Sequence, residues 1–198
     1  MGVLNSEYYK VTQDSIDRVP RARIFGNKID SYIQDACKKV LELSMNRRDG
    51  YVNDEVGMLI DLSGNKYCCI YGYEGILNCN CDKYIDDTVG KPVNSRIFIH
   101  NHPNNSQLSL NDLIEMLTCK CVVGSVAVGN HGGISYAYKI TDDCSRYALI
   151  GVKISMHMSK IFGTPDYEQE EERLRLKILN NPDRYGLKVG YSRYRRSK

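Results

Sequence analysis

From Asn27 onward, apolar residues return at helical intervals: Ile29, Ile33, Ala36, Val40 and Leu43 are spaced by four and three, and Cys37 and Leu41 widen the stripe. With charged residues on the other side, this predicts an amphipathic helix that closes at Gly50 and lies on a sheet. Val56 to Leu62 is then apolar, Ser63-Gly64-Asn65 offers a turn, and Tyr67 to Tyr73 is rich in aromatic and sulfur side chains, which predicts a hairpin. Turn residues crowd positions 75 to 92 and leave room for one more strand around Ile76 to Asn80. Arg96-Ile97-Phe98-Ile99-His100 reads as a buried strand, ending at the loop Asn101-His102-Pro103-Asn104-Asn105.

Beyond the loop, Leu110, Leu113, Ile114 and Leu117 form a helical stripe, and Cys121 to Val128 is a β-branched run. The glycine-rich turn Gly129 to Gly133 leads into Ile134 to Ile140, a second hairpin. Tyr147, Ile150, Ile154, Met158 and Ile161 favour a helix over 142–162; Thr164-Pro165-Asp166 ends it and opens a last helix, with Asp166 as cap and Gln169 as its capping-box partner. Strands and helices with hairpins, and no regular β-α-β alternation, predict an α+β fold: a mixed sheet with helices packed on it. The expected organisation is an arm over 1–26, a central domain over 27–162, and a C-terminal helix with a basic tail over 163–198.

Composition narrows the classes. The 198 residues are 42% hydrophobic and 26% charged, as in an ordinary globular domain. No apolar run approaches the ~18 residues of a membrane helix, and the N-terminus lacks the regions of a secretion signal, so a cytoplasmic protein without membrane association is expected. Eight cysteines in such a chain are expected to be reduced. Cys79-x-Cys81 and Cys119-x-Cys121 could combine into a zinc site, but structural zinc sites favour C-x-x-C pairs, and C-x-C on a strand puts two small side chains on one face. A net charge of +3 hides an uneven distribution: Arg173 to Lys198 contains nine Lys/Arg against one acid, Asp183. The basic tail, interleaved with Tyr191 and Tyr194, is a solvated terminus or a nucleic-acid contact.

Chemistry concentrates at the end of the Arg96 strand. The side-chain period of a strand sends His100 and His102 to the same side. Asp112 falls in the first turn of the next helix, and the loop between is long enough to fold its carboxylate back as a third corner. Two imidazoles and one carboxylate with a fourth position open are a catalytic zinc arrangement, in contrast to a closed structural one. Zinc in such a set lowers the pKa of water from about 15.7 towards ~7. A carboxylate is still needed to accept the proton and pass it to a leaving amine; Glu55, at the entrance of the Val56 strand, is the candidate. Ser109 could donate to an oxyanion.

Glu55 before a strand, His-Asn-His-Pro at a strand end and Ser-x-x-Asp at a helix start together resemble the JAMM signature of the JAB/MPN metalloenzyme superfamily, in its RadC-like, prokaryotic or phage-borne branches. The resemblance spans about residues 27 to 162. It implies a JAB/MPN-like (cytidine-deaminase-like) mixed sheet flanked by helices, a single domain with extensions. It makes His100, His102 and Asp112 ligands of one zinc ion per chain, Glu55 the general acid/base and Ser109 the oxyanion and water-orienting residue. The implied activity is a zinc-dependent hydrolase of peptide or isopeptide bonds, acting on a protein or peptide substrate that includes ubiquitin-like ones. A non-catalytic scaffold in a larger, phage-related assembly and a RadC-like nucleic-acid-associated protein are the alternatives. Nine residues separate His102 from Asp112, one fewer than is usual in the family.

Plainer readings stand beside these. His100 and His102 taken alone are strand-end polar residues, and Ser109-x-x-Asp112 is also a capping box, in which Asp112 is not expected to serve both the cap and a metal equally well. Asp54 and Glu74 compete with Glu55 for the role of base. His131 in its turn and His157 among methionines read as exposed or packed residues.

Overall fold

The computed structural model describes residues 10–46, 55–72, 77, 88–141 and 167–192. In chain order its elements are α1 (Gln13–Asp17), α2 (Asn27–Met45), β1 (Val56–Asp61), β2 (Lys66–Tyr71), β3 (Arg96–His102), α3 (Leu110–Thr118), β4 (Val122–Gly129), β5 (Ile134–Lys139), α4 (Tyr167–Asn180), a 3-10 turn (Pro182–Tyr185) and β6 (Leu187–Ser192). The six strands form one open sheet in the order β2-β1-β3-β4-β5-β6. Every neighbouring pair is antiparallel except β3 with β4, which are parallel and joined through α3. The fold is therefore α+β, a mixed sheet flanked by helices in a single domain.

Two apolar layers cover the sheet. On one face, Ile33, Ala36, Cys37, Val40 and Leu41 of α2 pack against Met58, Ile60, Ile97, Ile99, Val126 and Val128. These are the α2 stripe positions read from the sequence. On the other face, Leu110, Leu113, Met116 and Leu117 of α3 and Leu174 and Ile178 of α4 pack against Leu59, Phe98, Ala127 and Ala137. Each large side chain buried this way contributes about 1.5–3 kcal/mol. The central strands β1, β3 and β4 touch both layers, so they read as apolar runs without alternation.

Three features differ from the sequence reading or lie outside it. From Lys10 on, the expected arm is packed: Val11, Ile16, Val19 and Ala22 are buried in the α2 layer. The five-residue α1 carries a capping box between Thr12 and Ser15, and Asp30 accepts from the backbone N–H groups of Ile24 and Phe25 at 2.9 and 3.0 Å, fastening the segment to α2. The tail contributes β6, a strand no pattern had suggested, paired with β5 from Ile134/Ser192 to Lys139/Leu187. The expected strand near Ile76, the helix over 142–162 and the Asp166 cap fall outside the described residues, while the last helix is present as Tyr167–Asn180. Among the described residues no helix is long and apolar enough to cross a membrane.

Candidate metal centre

Phe98, His100 and His102 share the β3 face that looks towards α3, as the strand period requires. The phenyl ring of Phe98 stacks on His100 with centroids 5.1 Å apart and planes at 18°, which fixes the imidazole from below. The chain then leaves the sheet through Pro103 to Ser109. Gly129 makes room for this loop: a Cβ there would stand 2.6 Å from Asn105 Oδ1 and 3.1 Å from Asn105 Cα. Asn105 itself takes a left-handed φ of 57° and accepts from the His131 N–H at 2.8 Å, which holds the loop down. The loop ends in the N-terminus of α3, and there Asp112 comes back to the histidines.

His100 Nε2 and His102 Nε2 are 3.0 Å apart. Asp112 Oδ1 lies 3.1 Å from His100 Nε2, and Asp112 Oδ2 lies 3.3 Å from His102 Nε2. Both imidazoles are buried, and Asp112 is nearly so. A tetrahedral ion with bonds of ~2.0–2.1 Å separates its ligand atoms by roughly 3.3–3.4 Å, close to all three spacings. Among the described residues this is the one cluster of three or more His, Cys, Asp or Glu side chains that could hold a metal ion.

The protons support the fit. His102 Nδ1 faces the Ser106 carbonyl at 3.2 Å and the Ser106 hydroxyl at 3.0 Å; a proton on Nδ1 satisfies the carbonyl, which can only accept, and that tautomer turns the Nε2 lone pair to the cluster. Two Nε2 atoms at 3.0 Å cannot each present a proton to the other, whereas a cation between them takes both lone pairs. His100 Nδ1 is buried and makes no hydrogen bond among the described residues. Without a cation the charges settle among themselves: burial disfavours a charged His100, but the Asp112 carboxylate, then Glu55 and Glu115, outweigh it and raise the imidazole pKa. Burial likewise opposes the Asp112 carboxylate, yet His100 and His102 hold it well below the usual carboxylate range.

Asp112 serves the helix end as well. Ser109 is the N-cap of α3; its Oγ accepts from the Asp112 N–H at 3.1 Å and donates to Asp112 Oδ2 at 2.7 Å, and its N–H donates to the same oxygen at 2.6 Å. The expectation of a conflict between cap and cluster gives way to a division of labour, with Oδ1 left to His100 and Oδ2 shared between the cap and His102. The Ser109 hydroxyl proton is spent on Asp112 in this arrangement.

Glu55 stands just ahead of β1. Register pairs Gly57 with His100, and Val56 N–H donates to Asn101 Oδ1 at 2.7 Å, so continuing the antiparallel pairing brings Glu55 opposite His102 on the cluster's face. Burial raises its carboxyl pKa; His100 and His102 pull it down, and Asp112 pushes it up. The competing acids Asp54 and Glu74, like His157, lie outside the described residues.

Three contributors had no place in the sequence reading. Ser106 orients His102. Glu115, one helical turn beyond Asp112, adds negative potential at His100, and its i+3 spacing was the available signal. Asn101, fully buried between the histidines on the opposite face, accepts from Val56 N and donates to Asn130 Oδ1 at 3.0 Å and to Ser44 Oγ at 3.5 Å. It ties the strand entrance next to Glu55 to the end of α2 and to the β4–β5 turn. Comparison of the chain with protein-family models, curated proteins and solved structures returns no match in any of the three.

Proposed function

We propose that the protein is a zinc-dependent hydrolase of peptide or isopeptide bonds, of the JAB/MPN type that the His-x-His-Pro and Ser-x-x-Asp pattern resembles. The observation that carries this reading is the His100, His102 and Asp112 donor triangle, with edges of 3.0 to 3.3 Å, and a raised carboxyl at Glu55 coupled to all three. A zinc ion held there supplies Lewis acidity, activating water near neutral pH and polarising a carbonyl. Glu55 then accepts the water proton and returns it to the leaving amine, a task helped by the burial that raises its carboxyl pKa. Ser109 serves an oxyanion once its hydroxyl turns away from Asp112. Ser106 and Phe98 hold the imidazoles in place for this chemistry.

The test is metal analysis of purified protein, together with cleavage of peptide and ubiquitin-like fusions. One zinc per chain and cleavage abolished in Glu55→Gln support the reading. Well-folded protein that takes up no zinc, or full activity in Glu55→Gln, overturns it; zinc binding without cleavage, with a stable co-purifying partner, would favour the scaffold alternative.

A second reading concerns polyanions. A cavity of about 1110 Å³ is lined by Arg18, Arg21, Arg23, Asp30, Tyr136 and Tyr191 among others, at the strand that leads into the basic tail. Arg21 and Arg23 are exposed, and basic groups beside aromatic rings suit single-stranded nucleic acid. Salt-dependent binding of oligonucleotide, weakened in Arg21→Ala/Arg23→Ala, is the expected result; binding indifferent to salt removes the electrostatic case.

A further inference from the structure

Cys119 and Cys121 were expected to lie along one strand face. They sit instead in a tight turn: Cys119 caps the end of α3, its carbonyl accepts from Val122 N–H at 3.2 Å, and β4 begins only at Val122. The turn brings the two sulfurs to 3.5 Å from each other. Its backbone is pinned on both sides, since Lys139 Nζ donates to the Cys119 carbonyl at 2.8 Å and the N–H groups of Ser95 and Arg96 donate to the Cys121 carbonyl, both at 2.8 Å. Cys119 is half-buried and Cys121 is buried.

We propose that Cys119 and Cys121 are a redox-active dithiol that exchanges with small-molecule disulfides, Cys119 being the attacking sulfur and Cys121 the resolving one. Closing the pair requires the sulfurs to move from 3.5 Å to about 2.05 Å within a turn already formed, so little chain entropy remains to be lost. The surroundings are electropositive, as reactive thiols need. Lys139 acts on Cys119, Lys139 and Arg96 act on Cys121, and the Arg96 guanidinium stacks over the Tyr67 ring at 4.1 Å. The hydrogen bond with Cys121 outweighs burial and, with the turn's N–H groups and Lys139, holds the Cys119 thiol below the ordinary thiol range, while the same bond and burial push Cys121 up. Cys119, the more exposed of the two sulfurs, is therefore the one placed to attack. Cys37 is the contrast within the same molecule: burial alone pushes its thiol up to about 12.

The chemistry is a two-electron exchange. The Cys119 thiolate attacks one sulfur of a disulfide RSSR, forming a mixed disulfide and releasing RS⁻. The Cys121 sulfur, giving up its proton, then attacks Cys119 Sγ, closes the protein disulfide and expels the second RS⁻. The two thiol protons leave with the two thiolates, so the dithiol is oxidised and RSSR becomes two RSH. Excess RSH reverses every step. The pair lies about 10 Å along α3 from Asp112 and does not depend on a metal being bound there.

Reduced full-length protein equilibrated in glutathione buffers of rising oxidised fraction, acid-quenched, alkylated and digested for mass spectrometry, is the test. The expected product is a peptide with an internal Cys119–Cys121 disulfide, two hydrogens lighter, that disappears with dithiothreitol while Cys37 stays unmodified. Cys121→Ser should trap glutathione on Cys119, and Cys119→Ser should slow modification of Cys121 by about tenfold or more. No internal disulfide in wild type overturns the proposal, as does equal reactivity of Cys121 with and without Cys119. Stoichiometric zinc bound by both thiols that blocks oxidation also overturns it, in favour of a metal site.

Discussion

The two faces of β3 use the same buried strand for opposite ends. Towards α2, Ile97 and Ile99 join a layer of aliphatic side chains to which β3 adds one polar residue, Asn101, whose side-chain oxygen and nitrogen both have partners. Towards α3, Phe98 gives way to His100 and His102, which converge on Asp112 and leave His100 Nδ1 unmatched among the described residues. One face is closed by packing; the other keeps charge that packing alone does not settle. A strand can therefore be structurally saturated and chemically unfinished at once, with the division decided by residue parity.

The sharpest way to break this comparison is on the chemical face. Glu55→Gln should lower turnover of a cleavable fusion by ~10²–10⁴, the usual worth of general acid–base help, with zinc content unchanged. On the packed face, Ile99→Ala should cost about 2–5 kcal/mol in urea unfolding while the folded protein still binds zinc; loss of zinc would show that the faces are not independent. Asn101→Ala sits between them. It leaves Val56 N–H without its acceptor and should cost about 1–3 kcal/mol, with a drop in turnover because Glu55 loses its neighbour's anchor.

The smallest effect is in pH. In chelated protein, the depressed Asp112 pKa contributes stability present above its unfolded value of about 3.9 and lost as pH falls through the lower folded value. The raised His100 pKa contributes stability that is full below about 6.5 and lost as pH climbs through the higher folded value. Asp112 and His100 together thus favour the metal-free fold between about pH 4 and 6.5, the raised Glu55 carboxyl withdraws part of its own contribution as pH climbs above about 4.3, and the share of the decline above 6.5 that His100 causes should be missing in His100→Ala. Stabilisation by added zinc should run the other way, growing as pH rises and the imidazole proton is lost. A metal-free profile flat across pH 5 to 8 would contradict the His100–Asp112 pairing.

Much of the site could be read from local pattern. His100 and His102 at alternate strand positions, and Ser109 with Asp112 in a helix's first turn, are short-range relations that spacing expresses directly. What spacing could not express was competition among neighbours. The cap and the cluster coexist because a carboxylate has two oxygens, a fact invisible in the letters Ser-x-x-Asp. β6 was missed because its inward residues Leu187 and Val189 are few, Gly190 interrupts them and basic residues surround them; pairing with β5 makes it a strand. Gly190 is needed there, since the Tyr136 ring lies across the place a Cβ would occupy. The five-residue α1 is shorter than any periodicity window, and the Cys119 turn was hidden because a turn and a strand both bring i and i+2 together.

Asn101 also bears on how the molecule comes together in time. Its partners are 57, 45 and 29 residues away along the chain, at Ser44, Val56 and Asn130. Neighbouring letters place the two histidines side by side, but nothing local brings Glu55 to them. That arrangement requires three distant segments to meet on one amide, so it is made and lost with the cooperative core and not with any local element. Amide protons around Val56 and Asn101 should accordingly exchange only as fast as the whole domain unfolds.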